Sequence, residues 1–343
     1  MTAAHTIDQQ LGKLLLVNGA GAISHLPRVA LASLFRPGDL VVANDAATLP
    51  ASLHGVHRST CEPIEARLAG WLSFRDPQRF VAVVFGAGDY RTLTEDRPAP
   101  PPLSAGDRLE FSPLTALVEC LLGHPRLVQI RFDSSPASVV IRDLVRHGRP
   151  IQYAHIPEPL KLGNVWTKIA ANPIAFESPS AGFALDWRTL KGWRARGVRF
   201  ATLSHAAGLS STGDAALDRR LPFDEFYRIP EACASAIAAA KSRSGRVIAI
   251  GTSVVRALES AANADRTVSA GQGRASGRIA RGSRLRVVDA VLTGVHQPGE
   301  SHYELLRTFA DDTVLDCVRA AFEERDYRPH EFGDSLLIER QAA

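Results

Sequence analysis

Residues 246–259 read Arg-Val-Ile-Ala-Ile-Gly-Thr-Ser-Val-Val-Arg-Ala-Leu-Glu, which predicts a buried strand at Val247–Ile250, a tight turn and a helix. The turn consists of Gly251, Thr252 and Ser253. The first N–H groups of a helix have no partner within the helix, and the helix dipole adds positive charge there. This turn could therefore hold a carboxylate or phosphate, with Arg256 one turn further on to contact the same anion. The alternative is an ordinary strand–helix unit, in which a hydroxyl of the turn only caps the helix.

A second buried strand is predicted at Leu40–Ala43, after the break that Pro37-Gly38 makes in the chain. Asp39 and Asp45 flank this strand. Because α/β proteins place ligand contacts at the ends of buried parallel strands, both carboxylates are candidate site residues. We predict that Asp39 binds the cofactor. We predict that Asp45 is a catalytic residue, which could hold a ribose hydroxyl or an amine. Asp45 could instead cap a turn.

His296 follows a third predicted strand, Val287–Leu292. The ordinary pKa of histidine suits general acid–base work, so His296 is a candidate catalytic residue, with a structural histidine as the alternative. Asp334, near the end of the chain, could orient His296 or bind ligand. His205, which follows the predicted strand Arg199–Leu203, is a second candidate.

The sequence pattern changes between His54 and Asp133, where short runs of alternating polar and apolar residues are separated by turns. This pattern predicts an antiparallel barrel or sandwich. We therefore predict an α/β protein in which residues 1–53 and 136–343 form the main α/β domain and residues 54–135 an inserted small β-barrel domain. The glycine- and arginine-rich segment 271–282 is predicted to be a mobile loop, and the sequence does not say whether it closes on substrate.

The composition is that of an ordinary soluble protein: 343 residues, 45% hydrophobic, 22% charged and a net charge of +4. A charge of this size is compatible with an RNA partner but does not require one. The 4 cysteines are widely scattered without a Cys-x-x-Cys pair, which favours a reducing compartment over a zinc site. The sequence has neither a signal-peptide pattern nor an apolar run of the ~20 residues that a membrane span needs. We therefore expect a cytoplasmic protein.

Further motifs accompany the segment at 246–259. In chain order they are Arg36–Asp45 with Leu49-Pro50-Ala51, Ser178–Gly182, Val287–Pro298 and Phe332–Ile338. In this order and spacing the set resembles the S-adenosylmethionine:tRNA ribosyltransferase-isomerase family, the enzymes of queuosine biosynthesis. The resemblance extends from about Leu14 to Ile338.

The resemblance implies a transferase that moves the ribosyl part of S-adenosylmethionine to the 7-aminomethyl-7-deazaguanine base of tRNA. Epoxyqueuosine forms, and adenine and methionine leave. It also implies an α/β domain carrying an inserted barrel, no metal, and tRNA as partner; we expect a monomer without membrane association. Gly182 joins the turn residues as a predicted contact of the co-substrate. Glu65 lies where the family keeps an acidic residue, although we interpret it as a solvated charge on a barrel strand.

The chain departs from the family motifs at positions that could carry chemistry. Ala184 replaces the histidine of Pro-Thr-Ala-Gly-Leu-His-Phe, and Ala47 and Ser52 replace the two arginines of Asn-Asp-Thr-Arg-Val-x-Pro-Ala-Arg-Leu. These changes remove a group that could move a proton and two anion contacts. Two alternatives therefore stay open: a paralogue that uses S-adenosylmethionine on a small acceptor, and a non-catalytic ligand-binding relative.

Overall fold

The computed structural model describes residues 12–133, 137–329 and 332–341. Within these residues the strands are β1 Lys13–Val17, β2 Ile23–Pro27, β3 Leu40–Asn44, β4 Ala46–Thr48, β5 Ser52–His57, β6 Pro63–Trp71, β7 Arg79–Phe85, β8 Arg108–Phe111, β9 Leu114–His124, β10 Leu127–Phe132, β11 Asn172–Ala175, β12 Arg199–His205, β13 Glu225–Ile229, β14 Val247–Ile250, β15 Gly271–Ala275, β16 Ala290–Gly294 and β17 Ser335–Glu339. The α-helices of the same residues are α1 Leu31–Leu34, α2 Ala137–His147, α3 Trp187–Ala195, α4 Ala215–Asp218, α5 Glu231–Lys241, α6 Thr252–Ser260, α7 Ser301–Leu306 and α8 Asp312–Glu324.

The main sheet follows the order β15-β13-β12-β3-β14-β16-β17-β1-β2. Its centre is parallel: β12 and β14 flank β3, and β16 lies beside β14. Antiparallel pairs extend it on both sides, β12 with β13 and β16 with β17. The carboxyl ends of the four central parallel strands therefore meet at one edge of the sheet, the edge at which α/β proteins bind ligands.

The central strands are buried on both faces, as their continuous apolar sequence predicts. Side chains of a strand alternate between faces, so Leu40 and Val42 pack into one cluster and Val41 and Ala43 into another. The first cluster includes apolar residues of α5, α6 and α8, and the second includes Trp193 of α3. The sheet thus lies between two layers of helices, so its faces are covered and its edge at the carboxyl ends of the strands stays available for a site.

The β-barrel closes in the order β10-β7-β6-β5-β8-β9, with every neighbouring pair antiparallel. Its core packs continuously against Phe176, Ala206 and Leu209, which belong to the segments after β11 and β12. The predicted α/β fold with an antiparallel barrel is confirmed. The division at residues 53 and 136 stays a prediction, since residues 134–136 lie outside the described part of the chain.

The segment 271–282 differs from its prediction as a loop. Gly271–Ala275 forms β15, an edge strand that pairs with all five residues of β13. The residues of β15 have low strand propensity, so tertiary pairing rather than local sequence makes this a strand. No helix of the described residues is both long enough and apolar enough to span a membrane.

Candidate functional site

A cleft of about 720 Å³ lies at the carboxyl ends of the central strands. Its walls come from the segments that follow β12, β14 and β16, together with residues 153–155 and 177–181. Gly251, Thr252, Ser253, Arg256 and His296 all line it. The structure therefore brings together the predicted turn and the predicted catalytic histidine, which are distant in sequence.

The turn at the start of α6 carries the backbone N–H groups of Thr252 and Ser253 at the cleft. Gly251 has a φ of +98°, a conformation that favours glycine, and its N–H donates to the carbonyl of Leu292 at 2.7 Å. Within residues 12–133, 137–329 and 332–341, no group accepts a hydrogen bond from the backbone N–H of Thr252 or Ser253. These donors and the helix dipole make this corner of the cleft suited to an anion.

Arg256 does not extend this anion site. It is 6% exposed, and its guanidinium forms an ion pair with Glu225 of β13. The same group donates to the carbonyl oxygens of Ala275 at 3.0 Å and of Phe223 and Gly277 at 3.3 Å each. Arg256 therefore joins α6 to β13 and β15, rather than presenting an uncommitted cation to a ligand.

His205 lies behind this ion pair, and its side chain is fully buried. Its Nε2 is 3.4 Å from Glu225 Oε2, while the N–H of Gly208 donates to Glu225 Oε1 at 2.6 Å. Burial, reinforced by the charge of Arg256, lowers the pKa of His205 to about 4 in spite of Glu225. The imidazole is therefore neutral at pH 7 and does not line the cleft.

His296 lies on the cleft wall just after β16. Its Nε2 is 2.7 Å from the hydroxyl of Thr293, and its Nδ1 is 3.3 Å from Oε2 of Glu300. The ring of His302 lies 4.8 Å from the ring of His296, centroid to centroid. Both nitrogens of His296 are thus held by protein groups, which fixes the plane of the ring at the cleft.

Asp39 lies at the amino end of β3, at the edge of the sheet opposite the cleft. Burial opposes its ionisation, but hydrogen bonds from Arg246 and from the backbone of Arg36 outweigh it and lower the pKa of Asp39. Its Oδ2 is 2.6 Å from Nη2 of Arg246. The cleft lies at the carboxyl ends of the strands, whereas Asp39 precedes the amino end of β3. The structure therefore places Asp39 in an ion pair away from the cleft.

Asp45 lies at the carboxyl end of β3, the end at which the cleft is found, but it does not line the cleft. Its Oδ1 accepts from the hydroxyl of Ser204 at 2.5 Å and from the amide of Asn172 at 3.2 Å. These contacts connect β3, β11 and β12. The structure thus does not bring Asp45 together with His296.

Asp334 and Gly182 lie beside the cleft rather than in its wall. Asp334 accepts from the backbone N–H groups of Lys13 at 2.6 Å and Arg328 at 2.8 Å, and it borders a small cavity of about 10 Å³. Within the described residues no hydrogen bond or ion pair joins it to His296. At Gly182 an added Cβ would lie 2.9 Å from a methyl carbon of Thr167, so this glycine allows close packing under the cleft.

Sequence reasoning missed the carboxylates of the cleft, of which Glu177 and Glu225 have the most extensive contacts with neighbouring residues. The phenol of Tyr153 donates to Glu177, and the N–H of Ser210 donates to the other oxygen of Glu177 at 3.1 Å. Burial first, and then Glu177, raise the pKa of Tyr153 well above its usual range. Tyr153 lies in the segment 151–168, whose prolines at 157 and 159 predict an irregular, substrate-lining loop. The position of Glu177 directly before the Ser-Pro-Ser-Ala-Gly motif was the signal for that carboxylate.

The residues that depart from the family motifs fill ordinary structural positions. Ala47 is buried in β4, and Ala184 borders the small cavity beside the cleft. Ser52 donates to Glu65 at 2.7 Å and lies directly opposite Arg67 in the pairing of β5 with β6. An arginine is therefore present beside position 52, although it is supplied by the neighbouring strand.

The interpretation of Glu65 as a solvated charge is wrong. Glu65 is 2% exposed inside the barrel and forms ion pairs with Arg67 and Arg97. Burial opposes its ionisation, but the two arginines overcome it and lower the pKa of Glu65 to about 2. Both guanidinium groups also lie over the ring of Phe85, at 4.9 and 5.3 Å.

The protein is a mixed α/β protein whose main sheet is joined to a closed β-barrel. A ligand-sized cleft lies at the carboxyl ends of the strands of that sheet. The chain belongs to the family described as queuosine biosynthesis protein, whose model matches residues 2–338. The predicted family is therefore confirmed.

Curated relatives named S-adenosylmethionine:tRNA ribosyltransferase-isomerase are similar over most of their length. The protein of Sorangium cellulosum is 33% identical, with 95% of this chain and 91% of the relative covered. The protein of Gloeobacter violaceus is 31% identical, with 95% and 88% covered. The solved structure of S-adenosylmethionine tRNA ribosyltransferase from Thermotoga maritima matches with a TM-score of 0.50 and 19% identity over 98% of this chain and 95% of that chain. That match shows a likeness of fold.

Proposed function

We propose that this protein catalyses the reaction for which its relatives are named. It transfers the ribosyl part of S-adenosylmethionine to the 7-aminomethyl-7-deazaguanine base of tRNA, and epoxyqueuosine, adenine and methionine result. The similarity to the named relatives, over 95% of the chain in each case given above, supports this assignment. S-adenosylmethionine is a co-substrate in this reaction, and the acceptor is a tRNA.

The observation that carries the proposal is the pair of N–H groups at Thr252 and Ser253. They have no acceptor among the residues that the structure describes, and they lie in the same cleft as His296. The donor contains one carboxylate, which an anion site at a helix N-terminus can anchor. The ribosyl transfer needs a base near the acidified 5′ C–H of the sulfonium, and an imidazole is suited to that role. We assign the anchoring role to the turn and the proton transfer to His296.

Turnover is the direct test. The purified chain is incubated with S-adenosylmethionine and a tRNA that carries the 7-aminomethyl-7-deazaguanine base, and both adenine and the modified base are followed by mass spectrometry. The control tRNA carries guanine at that position. We expect both products with the first tRNA only. Adenine without modified tRNA would indicate another acceptor or hydrolysis, and neither product would contradict the proposal.

A pair of substitutions at Thr252 tests the anion site. Thr252 is the first residue of α6, where proline is tolerated, and the preceding Gly251 has a ψ of 150°, which proline accepts. Thr252→Pro removes one N–H donor and should weaken S-adenosylmethionine binding by about 10- to 100-fold, the worth of a charge-assisted hydrogen bond. The control Thr252→Val keeps the N–H and should bind nearly as the parent does. Equal affinities for both variants in calorimetry would remove the turn from the donor site.

His296→Gln tests the proton-transfer role separately from binding. General acid–base catalysis contributes on the order of 10²- to 10⁴-fold, so turnover should fall by that factor while the affinity for S-adenosylmethionine is retained. Unchanged turnover would assign the proton transfer to another group.

We further propose that the protein acts as a cytoplasmic monomer. The tRNA acceptor of the proposed reaction supports this location. Light scattering coupled to gel filtration measures the molar mass, for which a monomer gives 37.0 kDa. Twice that mass would contradict the monomer.

A further inference from the structure

A second constellation shares the wall of the cleft. His296, Glu300 and His302 offer one ligand atom each, and these three atoms all lie within 4.8 Å of one another. His296 lies in the loop after β16, and Glu300 and His302 lie at the start of α7. All three face the cleft.

The distances suit a metal ion. Nδ1 of His296 and Oε2 of Glu300 are 3.3 Å apart. Ligands bound at about 2.0–2.1 Å in a tetrahedral site are roughly 3.3 Å apart, so these two atoms already have the spacing of neighbouring ligands. The ligand atom of His302 lies within 4.8 Å of both, and a rotation of its side chain would complete the set.

The hydroxyl of Thr293 supports the histidine from behind. It lies 2.7 Å from Nε2 of His296, on the ring nitrogen that does not face Glu300. When Nε2–H donates to this hydroxyl, the lone pair of Nδ1 is directed towards the carboxylate. Metal-binding histidines in proteins are typically fixed in this manner by a hydrogen bond from their other nitrogen.

We propose that His296, Glu300 and His302 bind a divalent transition-metal ion of the zinc class, with a remaining coordination position open to the cleft. Two imidazoles and one carboxylate suit zinc and its neighbours, whereas magnesium and calcium prefer oxygen ligands alone. The proposal does not rest on the proposed function, for which no metal is needed. A bound ion would occupy Nδ1 of His296, the nitrogen that could accept a proton, so metal binding and proton transfer exclude each other at this residue.

Metal binding without substrate is the test. The full-length chain is freed of metal with a chelator and titrated with zinc chloride by calorimetry. Cobalt(II) chloride serves as a second probe, read by its visible absorption. We expect one ion per chain, and a loss of affinity on the order of 10- to 100-fold in Glu300→Gln and in His302→Ala. The matched control is His147→Ala, which removes an exposed histidine of α2. Circular dichroism confirms that each variant is folded.

A further measurement needs no substitution. Zinc should protect His296 and His302 from carbethoxylation by diethyl pyrocarbonate, read by peptide mass spectrometry, and it should leave His147 reactive. Zinc binding that is equally strong in the parent and both variants, or absent at micromolar concentrations, would overturn the proposal. Unchanged labelling of both histidines in the presence of zinc would also overturn it.

Discussion

Glu65 and Glu225 are both buried carboxylates paired with arginine, but Glu65 lies inside the barrel and Glu225 lies in the cleft wall. Glu65 has two arginine partners and the hydroxyl of Ser52, and Glu65 and Arg67 are no more than 2% exposed. Glu225 has one arginine partner, Arg256, and both are 6–7% exposed at the cleft wall. The first cluster is almost completely shielded from solvent, whereas the second forms part of the cleft wall that a ligand would meet.

The difference shows that a buried charge pair can serve two purposes in one chain. In the barrel, two cations surround one anion, and Ser52 provides a further donor to it. In the cleft wall, Glu225 also accepts from the N–H of Gly208, and Arg256 holds three carbonyl groups. This second cluster fixes β13 and β15 against α6, and it thereby determines the shape of the cleft. Changes in the two clusters should therefore differ in size and in what they disturb.

The largest effect is expected for Glu65→Gln. The substitution leaves two buried arginines without their anion, and breaking a buried ion pair in this way costs about 3–5 kcal/mol. Urea unfolding at neutral pH measures the loss in the free energy of unfolding. The control is Glu110→Gln, whose partner Arg58 is 62% exposed, and it should change stability by less than about 1 kcal/mol. Equal losses in the two variants would mean that the barrel cluster is not a distinct stabilising unit.

The second-largest loss in the free energy of unfolding is expected for Arg256→Met. It retains the apolar stem but removes the cation that pairs with Glu225 and the donor to three carbonyl groups. We therefore expect a loss of about 3 kcal/mol, with water from the cleft replacing part of the hydrogen bonding. Unfolding is measured without any ligand, which separates a structural role from a ligand contact. The double variant Glu225→Gln/Arg256→Met should lose less than the sum of the two single losses. If the Arg256→Met chain were as stable as the parent but no longer bound S-adenosylmethionine, Arg256 would be a ligand contact rather than a structural residue.

Sequence reasoning reached the scaffold more completely than the site. Val247–Ile250 was predicted with the observed bounds, because four apolar residues followed by glycine allow little else. His296 was placed at the cleft by the rule that ligands meet the carboxyl ends of parallel strands. The same rule also excludes Asp39, which lies at the amino end of β3.

The partners of buried charges were not predictable from local sequence. Arg256 and Glu225 are 31 positions apart, and no local pattern predicts that they meet. Glu65 stands in an alternating run that is typical of a strand with one wet face, yet closure of the barrel buries its side chain. Both errors arise because long-range packing decides which polar side chains lose contact with water.

A further difference concerns pH, and near neutral pH it depends on His205, which lies behind the ion pair of the cleft wall. In the unfolded chain the imidazole of His205 titrates near 6.5, and in the folded protein burial lowers its pKa to about 4. Between these values the unfolded state binds a proton that the native state does not. The free energy of unfolding should therefore decrease as the pH falls, by up to about 1.4 kcal/mol per pH unit.

Substitution of His205 tests this contribution. In His205→Gln the dependence of unfolding on pH should be shallower between about pH 6.5 and pH 4, whereas His147→Gln, an exposed control, should match the parent. His205→Asn is the second variant if glutamine does not fit the site. Identical slopes for the parent and a folded His205 variant would contradict the burial of a neutral imidazole behind Glu225.

The smallest effect is expected at Ser52, where the chain departs from the arginine of the family motif. Its hydroxyl donates to Glu65 at 2.7 Å, and Arg67 lies opposite it on β6. Ser52→Ala removes one of several donors to a carboxylate that keeps both arginines, so the loss should be about 1 kcal/mol. Ser52→Arg restores the residue of the family motif but adds a third buried cation beside one anion. Urea unfolding should therefore show a larger loss for the arginine than for the alanine variant. If Ser52→Arg were the more stable of the two, Arg67 would not be the substitute for the missing arginine.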